Sequence, residues 1–141
     1  MLNVVDASLA VKWLIPEEHG DRAMNLLAKF RNKSLDLTAP DHILIEMGSA
    51  LWKRSTLKNE ISESEAAESL TDFLALGIKL HPTPSLVGPA MRLAAQERHS
   101  IYDMVYVTFA RQLGCEFITA DRTLKNKLGS KFSFIRWVGD L

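Results

Sequence analysis

Four acidic residues stand where a plain hydrophobic core would not put them. Asp103 lies in the run SIYDMVYVTFARQLG, and at helical spacing its neighbours are Tyr106, Val107 and Ala110, so its carboxylate shares a stripe with apolar groups. A charge buried there costs on the order of several kcal/mol unless it is partnered. A second reading is open: Ser100 precedes Asp103 by three residues, the spacing of a capping box at a helix start. Asp121 follows the apolar run at Glu116–Ala120 and precedes a helical segment, where an Asp is equally natural as an N-cap. Asp6 ends the β-branched run Leu2–Val5. Glu46 shares a helical stripe with Ile43, Met47, Ala50 and Leu51, either facing inward out of pattern or reaching to water from the stripe's edge.

The elements that must position these acids follow from periodicity. The patterning predicts strands at Leu2–Val5, Leu35–Thr38 and Glu116–Ala120, a minor strand at Lys79–His81 and a last one at Phe132–Val138. Helices are expected at Ser8–Leu14 (closed by Pro16), Glu17–Phe30, Ile43–Leu57, Ser62–Leu76, Ser85–Gln96, Ile101–Leu113 (stopped by Gly114) and Arg122–Leu128. Inward positions read as Ala66, Leu70, Phe73 and Leu74 on the fourth helix, and Val87, Ala90, Met91, Ala94 and Ala95 on the fifth. Strands alternating with helices imply an α/β fold with a mainly parallel central sheet and helices on both faces. Such sheets bind ligands at the carboxyl ends of their strands. Asp6 and Asp121 leave strands at that edge, and Asp103 in the first turn of its helix and Glu46 in the second turn of its own can face the same rim if those helices start there.

Length and composition bound the alternatives. The chain's 141 residues fit one domain with a real core, and 47% hydrophobic with 24% charged residues is a globular balance. No apolar run approaches the roughly 18 residues of a membrane span, and no signal segment is evident, so a cytoplasmic protein is expected. The single Cys115 excludes an internal disulfide and reads as a small buried side chain in a reducing compartment. Lysine plus arginine balances aspartate plus glutamate at 17 each, so no global charge draws nucleic acid. Locally, Glu60, Glu63, Glu65, Glu68 and Asp72 form an acidic run. Arg122, Lys125, Lys127, Lys131 and Arg136 form a basic one, either a solvated face or a hold on a phosphate backbone beside Asp121. Trp13 and Leu14 read as core or as part of a partner surface, and Leu51 and Trp52 are further candidates for such a surface.

Four carboxylates at one rim repel: two unit charges about 4 Å apart cost roughly 4 kcal/mol at an effective dielectric of 20. Mg²⁺ or Mn²⁺ relieves this, because both favour carboxylate and water oxygens. Zinc is disfavoured. His19, His42, His81 and His99 show no ligand spacing with one another or with Cys115 and read as surface or loop residues. Neither a serine nucleophile with a matching base nor a phosphate-cradling glycine loop is evident, which leaves metal-assisted phosphodiester hydrolysis as the best enzymatic reading. An aspartyl-phosphate phosphatase of the haloacid-dehalogenase-like kind would want a second Asp two residues after Asp6, where this chain has Ser8. A non-catalytic metal- or RNA-binding module is the other alternative.

Three blocks, VVDASLAVKWL, LIEMGSALWK and IYDMVYVTFARQLGCEFITAD, resemble in order and spacing the signatures of PIN-domain ribonucleases, specifically the VapC-like toxins of toxin–antitoxin pairs. The resemblance spans essentially the whole chain. It implies a single PIN-like domain over residues 1–141, a three-layer α/β/α fold, and an acidic cluster of Asp6, Glu46, Asp103 and Asp121 that binds one or two Mg²⁺ or Mn²⁺. Ser8 and Thr119 would orient the carboxylates or a water. It further implies endonucleolytic cleavage of RNA, a homodimer, and inhibition by a small cognate antitoxin. Arg122, Lys125 and Lys127 are the candidate RNA contacts. Thr123 and Leu124 stand where some relatives carry another acid, which bears on a second metal site.

Overall fold

A computed structural model describes residues 1–141. Five strands, β1 (Leu2–Val5), β2 (Asp36–Pro40), β3 (Lys79–His81), β4 (Glu116–Thr119) and β5 (Ile135–Trp137), form one sheet in the order β3-β2-β1-β4-β5. Every pairing is parallel, with Val4 opposite Thr38 on one side and Phe117 on the other. The buried β-branched and aromatic residues of these short runs suit strands covered on both faces. From β1 the chain builds outward through β2 and β3, then returns to β1's other side for β4 and β5. The order therefore reverses between β1 and β4, the place where open parallel sheets form a crevice at their carboxyl edge.

The helices are α1 (Ala7–Val11), α2 (Gly20–Arg31), α3 (Ile43–Trp52), α4 (Glu63–Ala75), α5 (Pro84–Glu97), α6 (Ile101–Leu113) and α7 (Arg122–Leu128). Helix α6 packs on β1, β2 and β4, with α5 against it. Its residues Met104 to Ala110 are all buried, and the Tyr106 and Phe117 rings stack with centroids 5.5 Å apart. On the other face, α2 lies beside Asn3 and Ile118. The result is an α/β/α sandwich. Gly114 ends α6 at φ 65°, a left-handed conformation that glycine adopts without strain.

Several boundaries move for identifiable reasons. Helix α1 stops at Val11, because Lys12, Trp13 and Leu14 donate to carbonyls three residues back and tighten the chain ahead of Pro16. Helix α2 begins at Gly20 rather than Glu17, since His19 takes a left-handed conformation (φ 61°) and breaks the run. β2 runs Asp36–Pro40 rather than Leu35–Thr38, and β5 is confined to Ile135–Trp137, with Phe132 buried in the turn before it. α3 passes into a π-helical stretch at Lys53–Leu57 instead of continuing as α-helix. α4 starts with a complete capping box between Ser62 and Glu65, so part of the acidic run closes a helix; Leu74, expected inside, is 54% exposed.

The buried stripe of α5 is Leu86, Ala90, Leu93 and Glu97, not the one through Val87 and Met91, which stand out in solvent. In an alanine-rich helix the two stripes compete, and the larger apolar area of the leucine pair goes inside. Trp13 is core, its indole N–H donating to the Ala23 carbonyl at 2.8 Å, and Leu51 is buried, while Leu14 is part-buried against the core and Trp52 is half exposed. Cys115 is half-buried, which pushes its thiol pKa up. No helix is long and apolar enough to cross a membrane.

Candidate active site

The carboxyl edge at the β1/β4 reversal collects the acids. Asp6 leaves β1 as the N-cap of α1. Its Oδ1 accepts from Leu9 N–H (3.1 Å) and Ser8 Oγ (2.7 Å), its Oδ2 from Thr119 Oγ1 (2.5 Å). Asp6 is 5% exposed, and that burial is the main force raising its pKa to about 7. The three donors pull the value down and the charge of Asp103 adds to the rise. Asp103 therefore lies within electrostatic reach of Asp6, although the two are 97 positions apart in the sequence.

Asp121 leaves β4 as the N-cap of α7, its Oδ1 accepting from Leu124 N–H at 3.0 Å. Its own N–H donates to Thr119 Oγ1 (3.0 Å), and the Ala120 N–H donates to Ser8 Oγ (3.1 Å). Ser8 and Thr119 thus link the two strand ends through hydroxyls that both donate to Asp6. Asp6 and Asp121 are both helix N-caps, with Ser8 and Thr119 shared between them.

Asp103 behaves differently from the capping-box alternative. Ser100 caps α6 through the Tyr102 N–H (3.2 Å), while the Asp103 carboxylate turns to His99, whose Nε2 lies 2.6 Å from Oδ2. Glu46 accepts from the Tyr106 hydroxyl at 2.6 Å. Burial and the charges of Glu46 and Asp6 drive the Tyr106 pKa strongly upward, so the phenol keeps its proton and donates it. Tyr106 thus bonds Glu46 and feels the charge of Asp6. Nε2 of His42 lies 3.6 Å from Glu46 Oε1 and 3.0 Å from the Tyr102 carbonyl, which can only accept, so that nitrogen carries the hydrogen.

His42 and His99 lie in the connections before α3 and α6, as a loop reading expects, but the sequence reading misses their partners. Both are largely buried and each faces an acid four residues on, His42 with Glu46 and His99 with Asp103. The signal was the helical spacing of an imidazole and a carboxylate; a search for zinc spacing passes over it. His81, by contrast, is no loop residue: it ends β3 and stacks on Phe109. The basic run is largely occupied within the fold. Arg122 stacks on the Trp137 ring, Lys125 donates to the Ile135 carbonyl at 2.8 Å, and Lys127 donates to the Arg98 carbonyl at 2.7 Å. Lys131 and Arg136 pair with Glu97 and Glu116.

No three of the carboxylate, imidazole and thiol groups form a ready-made metal cage. The donor chemistry nevertheless suits a hard divalent ion. One oxygen of Asp103 is held by His99, one of Glu46 by Tyr106 and one of Asp121 by the α7 cap, so Asp103 Oδ1, Glu46 Oε2 and Asp121 Oδ2 take no donor from the protein. A buried carboxylate pushed up to about 7 beside a second carboxylate is an electrostatic deficit that a cation removes.

The PIN domain family model matches residues 4–127. The chain belongs to the PIN-domain family. Within it, the chain is VapC-like: it is 32% identical over 127 residues to Ribonuclease VapC3 of Pyrobaculum aerophilum, covering 88% of this chain and 92% of that protein. Two crystal structures share the PIN fold. PAE2754 from Pyrobaculum aerophilum superposes with a TM-score of 0.69 at 23% identity, covering 99% of this chain and 85% of that one. VapBC2 from Rickettsia felis, bound to a DNA fragment from its promoter, gives a TM-score of 0.65 at 15% identity, covering 97% of both chains.

Proposed function

We propose that this PIN-domain protein is a Mg²⁺- or Mn²⁺-dependent endoribonuclease of the VapC kind, the toxin of a toxin–antitoxin pair. The observation that carries the reading is a buried Asp6 within electrostatic reach of Asp103, at an edge where Glu46 lines the same cleft as Ser8, in a chain 32% identical to a named ribonuclease. Asp6, Asp103, Glu46 and Asp121 would hold the ion through carboxylate oxygens. When bound, such an ion supplies an activated water and stabilises charge on the leaving oxygen.

The remaining work falls to the chain. Ser8, Thr119 and the Leu9 N–H fix both oxygens of Asp6, so its orientation is set before substrate arrives. Tyr106 holds Glu46 and His99 holds Asp103, each by one oxygen, which leaves the other directed by a short hydrogen bond. Partnership with a small antitoxin is supported by the VapBC2 neighbour, whose name is that of a pair. A homodimer and a cytoplasmic setting complete the proposal; the exposed apolar side chains of Ile45 and Trp52 on α3 are available to such contacts. The test is cleavage of single-stranded RNA with Mg²⁺, with chelator, and by Asp103→Asn. Metal-dependent cleavage lost in the variant supports the reading, and cleavage that persists in chelator or in a clean variant overturns it.

A further inference from the structure

A groove runs away from the acid site between two helix faces. Ser8 and Lys12, four residues apart, extend along α1 and its C-cap. Glu46, Ala50 and Arg54, each four apart, extend along α3 into the π-helical stretch, and all five line one cleft. Ala50 is small and keeps the passage open. Eight residues of helix put Arg54 roughly 12 Å from Glu46. A hydrolytic centre at one end therefore faces a pair of cations at the other.

These cations are not solvated surface charges. The Lys12 side chain is 10% exposed, with Nζ 3.3 Å from Glu17 Oε1 and 2.5 Å from the Glu18 carbonyl. Arg54 pairs with Glu17, and at 3.4 Å with Glu60. One carboxylate, Glu17, thus serves both cations. Burial lowers the Lys12 pKa, with the Glu18 charge opposing and the Arg54 charge adding to the fall, so the two cations lie close enough to feel one another. Glu17 lies in the loop between α1 and α2 and can swing aside without breaking a helix. π-Helical turns such as the one carrying Arg54 recur at functional sites.

We infer that Lys12 and Arg54 form a clamp for a backbone phosphate of single-stranded RNA flanking the bond to be cut, and that Glu17 holds their place until RNA displaces it. The inference rests on RNA being the substrate, as proposed above, and assigns binding residues distinct from the acids. Arg54 offers a planar fork for a phosphate, and Lys12 adds a point charge.

The experiment is fluorescence anisotropy of a labelled single-stranded RNA titrated with full-length protein in chelator, over a salt series, so that no cleavage intervenes. Arg54→Gln should weaken binding by roughly five- to tenfold and lower the log–log salt slope by about 0.7, the value for one phosphate contact on a single strand. Glu17→Gln should tighten binding about three- to tenfold by freeing both cations. That gain cannot come from damaged folding. An unchanged slope in Arg54→Gln, no gain in Glu17→Gln, or no binding of RNA by the wild-type chain overturns the clamp. Cleavage by the wild-type chain with Mg²⁺ is scored separately: RNA bound through Arg54 but never cut keeps the clamp and removes the nuclease, whereas RNA cut with an Arg54-independent slope does the reverse.

Discussion

Replacing Asp6 by Asn should stabilise the metal-free protein, against the usual expectation for a buried, hydrogen-bonded residue. The Asp6 pKa rises from 3.8 to about 7 on folding, a difference of 7 − 3.8, or about 3 units. At about 1.4 kcal/mol per unit, ionised Asp6 costs the folded state about 4 kcal/mol at pH 7. The sign follows from proton binding: between pH 4 and 7 the folded state holds more protons at this site than the unfolded chain, so stability contributed here falls as pH rises. From pH 7 to pH 5 the wild-type chain recovers about 2 kcal/mol relative to Asp6→Asn. Asparagine keeps an oxygen for Ser8 and the Leu9 N–H, and the Thr119 hydroxyl can turn to accept, so about 1 kcal/mol of lost hydrogen bonding offsets the gain. Urea unfolding of both proteins in chelator at pH 5 and pH 7 measures this. A net gain of about 3 kcal/mol at pH 7 that shrinks at pH 5 is expected. A variant less stable than wild type at pH 7, or a difference independent of pH, refutes the electrostatic reasoning.

Three further outcomes follow from the same geometry. Tyr106→Phe keeps the ring on Phe117 but removes the donor to Glu46, and should lower stability by about 1.5 to 3 kcal/mol in denaturant melts while slowing RNA cleavage; unchanged cleavage would remove Tyr106 from the site. Asp121→Ala should lose about 0.5 to 2 kcal/mol by uncapping α7, whereas Asp121→Asn keeps the cap and stays near wild type in thermal melts. Both should fail to cleave RNA, which separates charge from cap. Lys125→Met, which gives up the bond to the Ile135 carbonyl, should cost about 1 kcal/mol of stability and leave RNA affinity unchanged; a loss of affinity would return Lys125 to the RNA surface.

Much of this architecture is legible from the chain because strong periodic signals agree with their surroundings. β1, β3, α6 and α7 lie where patterning puts them, and for β1 and α6 a buried β-branched run and a Gly stop leave few alternatives. The phase of α5 is not legible: Val87, Ala90 and Met91 make as regular a stripe as Leu86, Ala90 and Leu93, and the choice is made by packing against α6. The late start of α2 depends on the backbone conformation of His19, for which the sequence carries no marker. At the site, the acids are conspicuous because carboxylates interrupt apolar stripes. Their partners are not. His99 and His42 look like loop residues and Tyr106 like an ordinary helix residue until the helices are placed, and Arg122 and Lys125 look free until β5 is seen to take them up.

The central proposal, that Asp6 and Asp103 hold one divalent ion at the β1/β4 edge, is tested most directly by anomalous scattering from crystals grown with Mn²⁺. The account predicts a peak at this edge against the carboxylates of Asp6 and Asp103, and its loss in Asp103→Asn. A peak bound elsewhere, or none at this edge in crystals of protein that cleaves RNA with Mn²⁺, would contradict it.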